Sequence, residues 1–274
     1  MNRPAFLSVL PLLAVILPAH AAEPIKLQPH RAVYDISLTT GKGRNNLTAA
    51  SGQLSYEFSG NACEGYSTKT AFTTALQAQD GKALISEMRS ASFEGVDSKD
   101  FTFVTSSKSN GKLDSEADGA AKRNDDGALM LQLNKPQKEK VEFGKNVLLP
   151  AQHTLELIRA AKEQQNVLQA DFFDGSESGK KLYATTAIIG KEVALPIPNE
   201  HPTFAQFAKT PRYPISISFY DKQQDKAGEQ LPLYDLHATM FDNGVTYKLR
   251  LDYPDFSLEA SMKSLELLPA GTCN

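Results

Sequence analysis

"FDNGVTYKLRLDYPDFSLEASM", Phe241 to Met262, carries the pattern that decides the fold. Val245, Tyr247, Leu249 and Leu251 alternate with polar residues, and so do Phe256, Leu258, Ala260 and Met262. A period of two sends successive side chains to opposite faces of a strand, so each run is a strand with one apolar and one wet face. Sheets wetted on one face are characteristically antiparallel. Asn243-Gly244, just ahead of the first run, is the turn chemistry that short hairpins need, because both residues tolerate positive φ.

The same alternation recurs along the chain, in Tyr34/Ile36/Leu38, Leu54/Tyr56/Phe58, Leu129/Leu131/Leu133 and Ile215/Ile217/Phe219. Between such runs stand "TTGKGRNN", "AQDGKA", "KSNGKL" and "NDDGAL", all rich in turn formers. A dozen or more segments of this kind predict a mainly β chain whose antiparallel sheet meanders into a barrel-like or spiral body. No internal repeat or low-complexity linker divides it. The Pro-rich "ALPIPNEHP" (Ala194 to Pro202) interrupts the pattern and reads as a crossover within one domain. One segment is helical instead: "LPAQHTLELIRAAKEQQN" has Pro150 near its start and Leu155, Ile158 and Ala161 on one stripe. That stripe is expected to pack on the sheet. A second, shorter helix is expected over Pro202 to Ala208, with Phe204, Phe207 and Ala208 on one side.

The chain opens with Arg3, an apolar run to Pro18 and an Ala19-x-Ala21 site before Glu23, the layout of a signal peptide cleaved after residue 21. The run is shorter than the ~20 apolar residues of a spanning helix. Residues 22–274 then form a single exported domain. Loss of Arg3 reduces 29 basic residues to 28, against 32 acidic ones. Without a basic stripe, nucleic-acid binding has no electrostatic basis. A transmembrane barrel would show aromatic girdles, whereas tryptophan is absent and aromatics are 8%.

Motifs that carry chemistry are few. "FDGSESGKKLY" (Phe173 to Tyr183) fails as a phosphate loop, because Lys181 stands where Ser or Thr is needed. It fails as a nucleophile elbow, with Glu177 at the centre, and lacks the ligand alternation of a calcium loop. It reads as a wide polar turn between strands, with a functional rim loop as the alternative. His30, His153, His201 and His237 have no metal-ligand spacing, so no metal site is expected. His153, in the first helical turn, reads as a capping or hydrogen-bonded structural residue. Asp125/Asp126 and Asp171/Asp174 adjoin turn glycines and read as turn chemistry rather than paired acid/base groups. Asn46-Leu47-Thr48 fits a glycosylation sequon, a pattern too short to decide anything.

The two cysteines, Cys63 and Cys273, are 210 positions apart. In an oxidising compartment one disulfide is the simplest state. The alternative, two reactive thiols, lacks a Cys-x-x-Cys spacing and a neighbouring base.

Several stretches resemble the EipB family of periplasmic cell-envelope integrity proteins: "LQPHRAVYDISL" (Leu27 to Leu38), "SGQLSYEFSGNACEGY", "SEMRSASFEG", "VLLPAQHTLELIRAA", "ADFFDGSESGKKLYATTAIIG" and "LPLYDLHATMFDNGVTYKLRLDYPDFSLEA". The likeness runs through the mature chain in order. It implies a single-domain β-spiral of about fourteen strands, a soluble periplasmic location in a Gram-negative bacterium and a role in envelope integrity under stress. It matches the family's paired cysteines to Cys63 and Cys273 and carries over no catalytic residue and no cofactor.

The expected function is therefore non-catalytic binding of another periplasmic protein or of a lipid- or lipoprotein-like ligand. The alternatives are a hydrolase with a site assembled across the sheet and a purely structural envelope protein. An open apolar concavity would favour binding; a serine or carboxylate beside a histidine would favour the enzyme.

Overall fold

The computed structural model describes residues 24–41, 47–193, 201–223 and 230–273. The expected signal peptide, Asn46 and most of the Ala194–Pro202 segment lie outside them. Eight strands come first: β1 (His30–Gly41), β2 (Leu47–Asn61), β3 (Gly65–Ala78), β4 (Ala83–Glu94), β5 (Asp100–Ser109), β6 (Lys112–Arg123), β7 (Leu129–Lys135) and β8 (Glu139–Glu142). The two-residue β9 (Val147–Leu148) leads into helix α1 (Pro150–Lys162). Then follow β10 (Val167–Phe172), β11 (Tyr183–Ile189), β12 (Arg212–Asp221), β13 (Tyr234–Phe241), β14 (Thr246–Asp252) and β15 (Phe256–Leu267).

All fifteen belong to one sheet, ordered β8 to β1, then β15 down to β9. Every neighbouring pair is antiparallel except β9 with β10. The chain thus runs outward along one half of the sheet and returns along the other, and the halves meet where β1 pairs with β15. The two edges, β8 and β9, are joined by the short link from Glu142 to Val147. Extended chain covers at most ~3.6 Å per residue, so five steps hold the edges within about 18 Å. The sheet must therefore curl into an open barrel-like ring.

Turns follow the residue chemistry. Between β5 and β6, Asn110 and Gly111 both take positive φ, +49° and +77°, as a tight type I′-like hairpin requires. On the outer face Glu266, Arg31, Glu57 and Lys69 stand opposite one another across β15, β1, β2 and β3, paired at 2.7–3.1 Å. Such exposed pairs contribute little stability.

The ring encloses three apolar clusters. α1 lays Ala151, Leu157, Ile158, Ala160 and Ala161 against the inner face of β10 to β13. The expected stripe is rotated, because Leu155 is only partly buried while Leu157 is buried. The second helix is a 3₁₀ segment, Pro202–Phe207, whose Phe204 and Phe207 pack with Phe241, Tyr247 and the inner residues of β1 and β15. The third cluster joins Leu129, Leu131 and Leu133 of β7 to Phe101 and Phe103 of β5. Among the described residues no helix is long and apolar enough to cross a membrane.

Candidate functional site

The register places the inner wall row by row. Ala32 stands opposite Leu265 and Tyr56, followed outward by Thr70, Ser90, Thr105 and Ala117. The next row runs Met262, Tyr34, Leu54, Phe72, Met88, Ser107 and Ser115. Both rows are apolar near the β1–β15 seam; the first turns to hydroxyls across β3 to β5, whereas the second stays apolar through Phe72 and Met88 and turns to hydroxyls at Ser107 and Ser115. α1 and the 3₁₀ segment fill part of the apolar half. Leu54, Phe72, Leu236, Leu249 and Leu251 remain only partly buried although they point inward.

Tyr56, Tyr234 and Tyr253 share this position. Each is half-buried, yet burial pushes the Tyr56 phenol up to about 12 and raises Tyr234 and Tyr253 as well. Tyr56 stands in register with Ala32 and Tyr234 with Phe219, which puts both in the recess of the concave face rather than on the outer one. A ribbon of rings leads there from α1. His153 lies 5.0 Å from Phe172, Phe172 6.0 Å from Phe219, Phe219 stacks on Tyr234 at 4.6 Å, and Tyr253 lies 5.8 Å beyond.

The Phe173–Tyr183 segment is a turn between β10 and β11, but its polar reading needs correction. Its backbone is wedged into the opposite half of the ring. Phe173 is fully buried against Phe143, Phe103 and Phe101, at ring distances of 5.0, 5.7 and 5.9 Å. Gly175, at φ +72°, leaves room for the Phe103 ring: a Cβ there would lie 2.3 Å from it. Lys180 reaches across to Glu139 of β8 at 2.8 Å. The segment bolts the two edges of the sheet together by side-chain packing, where a backbone ladder is missing. Within it Ser176 Oγ and Tyr183 Oη are 2.9 Å apart, and Asp174 Oδ1 accepts from Ser176 N at 2.9 Å.

A residue the sequence did not single out locks the helix. Glu94 is buried at the end of β4 and accepts hydrogen bonds from Ala151 N (2.6 Å), Gln152 N (3.1 Å) and Ser98 Oγ (2.6 Å). It caps the orphan N–H groups of the first turn of α1 from 57 residues away. Desolvation still raises its pKa, against those hydrogen bonds. Its signal was present: the position continues the inward phase of Ser90 and Ser92, where a carboxylate must have a fixed partner.

The histidines stay apart. His30 Nδ1 lies 2.8 Å from Gln28 O, His201 accepts from Thr203 N, and His237 faces Asp252 on the surface. His153 does not cap α1. It is buried, with Nε2 3.5 Å from Thr185 Oγ1, whose proton goes to Ala170 O. Asp126 accepts from the Ala128 N–H, as turn chemistry expects, and Asp171 pairs with Lys222. Among the described residues no three His, Cys, Asp or Glu side chains gather as metal ligands.

Burial holds the His153 pKa down at about 4 and lowers that of His30. The unfolded chain takes up protons near pH 6.5, so stability is complete above that pH and is lost as pH falls toward the folded value. For His153 the loss is ~1.4 kcal/mol per pH unit. Denaturant titrations at pH 7, 5.5 and 4.5 should show it. His153→Gln should flatten the slope, while the raised pKa values of Glu94 and Asp174 act in the opposite sense in both proteins.

Cys63 and Cys273 are bonded, with Cα atoms 5.7 Å apart. The tail beyond β15 passes the start of β1, where Leu268 N bonds Pro29 O, and reaches the β2–β3 turn. There Asn61 Oδ1 accepts from Cys63 N and Glu64 N, fixing the turn.

A single curled sheet with plugging helices, a bolted seam and a partly wet inner wall defines a class of barrel-like β proteins with an internal concavity. A crystal structure of a beta-barrel-like protein of a domain of unknown function from Brucella abortus superposes with a TM-score of 0.82 at 31% identity, covering 89% of this chain and all of that one. The EipB-like family model matches residues 21–269. The Brucella abortus (strain 2308) cell envelope integrity protein EipB is 32% identical over 253 residues, 92% of this chain and 89% of that protein. The chain belongs to the EipB-like family, and that relative's name places its role in cell envelope integrity.

Proposed function

We propose that the protein is exported to the periplasm after cleavage of residues 1–21, and that residues 22–274 act there as one domain, clasped by Cys63–Cys273. It maintains the envelope without catalysis, by taking an acyl chain or similar apolar group of an envelope component into the recess. The observation that carries this is the set of inward apolar and tyrosine side chains, Leu54, Phe72, Leu249, Tyr56 and Tyr234, that the plugs leave partly uncovered. Apolar concavities with a few polar groups are the usual form of small-molecule sites. The non-catalytic reading is supported by the family's role and by the structural employment of Glu94, His153 and Ser176.

The test is uptake of a fluorescent fatty acid by the purified mature chain. Saturable binding is expected, and Phe72→Glu should abolish it without changing the circular dichroism spectrum. Absence of binding to the parent chain would refute the reading.

A protein partner is the second reading. Ile189 N bonds Asn166 O, so alternate residues from Asn166 face β11, and the backbone of Val167 and Gln169 points to the open edge. A cleft of about 490 Å³ lies there, lined by Leu148, Glu156, Leu168 and Asp171 among others. An unpaired edge can take a strand from another chain.

A further inference from the structure

We infer that the inner wall selects an amphipathic ligand with an uncharged, hydroxyl-bearing head group, a neutral glycolipid rather than a phospholipid; this rests on the recess being a binding site. The inward positions of β3 and β4 pair hydroxyl with hydroxyl: Thr68 with Ser92, Thr70 with Ser90, Thr74 with Ser86. A barrel interior closed for stability alone would carry apolar side chains there, as β7 does with Leu129, Leu131 and Leu133.

These hydroxyls are uncommitted. Thr68 bonds the Tyr56 phenol, whereas Thr70, Ser86, Ser90 and Ser92 form no side-chain hydrogen bond with the described protein, and their oxygens are not sealed from solvent. They form an array of donors and acceptors open to the concavity. Each can both give and accept a hydrogen bond, which matches the dual character of sugar hydroxyls.

Charge decides between head groups. Among the inward residues of β3, β4 and β5 there is no Lys, Arg or His. The one carboxylate, Glu94, is committed to the first turn of α1. A phosphate drawn into this wall would lose hydration without gaining a cation, which is unfavourable. A neutral polyhydroxyl head exchanges water hydrogen bonds for wall hydrogen bonds at little electrostatic cost. Leu54, Phe72 and Met88, in register beside the hydroxyls, supply the apolar surface for the attached chain.

The test is isothermal titration of the mature chain with dodecyl maltoside and with dodecyl phosphate, each below its critical micelle concentration. The maltoside should bind at least about tenfold tighter, the equivalent of ~1.4 kcal/mol. The double variant Thr70→Val, Ser90→Ala, checked for an unchanged unfolding midpoint, should weaken maltoside binding and leave the phosphate unaffected. Equal or tighter binding of the phosphate overturns the head-group inference while the recess survives. A preference untouched by the double variant overturns the assignment to this wall. If neither compound binds, the recess reading falls with it.

Discussion

Cys63→Ser should lower the thermal unfolding midpoint by up to about 10–20 °C, the largest single effect expected in this protein. The bridge spans 210 residues, and closing a loop of that length in the unfolded chain is worth roughly 5 kcal/mol as an upper estimate. At this size each kcal/mol moves the midpoint by about 2–4 °C. The local geometry adds to the entropic term. The tail holds the β2–β3 turn to the end of β15, next to the seam where the two halves of the sheet meet. Differential scanning calorimetry of the oxidised parent, the reduced parent and the variant checks this, the last two being expected to coincide. An unchanged midpoint would mean that the bridge constrains nothing that unfolding releases.

Phe173→Ala should destabilise by about 3–5 kcal/mol, the range for an aromatic core residue truncated to a methyl. The ring is enclosed by Phe101, Phe103 and Phe143 from the other half of the barrel. Its loss does more than leave a cavity. The β8 and β9 edges have no ladder between them, so this packing supplies much of the closure. Limited proteolysis should therefore cut the variant between β8 and β10 before it unfolds globally. Ser178→Ala, on the exposed rim of the same turn, should leave both stability and digestion unchanged. If both variants behaved alike, the seam would owe its closure to something other than the bolt.

The strands β1, β2, β7, β12, β14 and β15 were legible because each has one wet face, which makes the period of two visible. Asn110-Gly111 announced its hairpin because few other residue pairs accept two successive positive φ values. The alternation fails at "SMKSLEL", where Met262 and Leu265 are three apart yet both face inward. A register shift between Val33 and Tyr34 lets β15 carry one extra residue and restores the phase. No local signal marks such a shift, since it exists only between two strands. The helix was legible as an element but not in orientation. Which stripe it buries is set by its packing on β10 to β13, while its first turn is held by Glu94 at the end of a distant strand.

Phe173 to Tyr183 shows the limit most clearly. Its composition, two glycines among Asp, Ser, Glu and Lys, is that of a solvated turn, and the turn is there. That Gly175 is a seat for Phe103 follows only from the curl of the sheet. The hydroxyl wall is similar: Thr70 and Ser90 look like ordinary strand surface until the register turns them to the inside.

By itself the sequence determined the β class, the turn positions, the helix and the family resemblance, because these depend on neighbours a few residues apart or on motif order along the chain. The tertiary structure decided that the sheet stays open and is bolted by packing, and which side chains share the concave wall. Both depend on contacts between residues tens to hundreds of positions apart, and local periodicity carries no record of them.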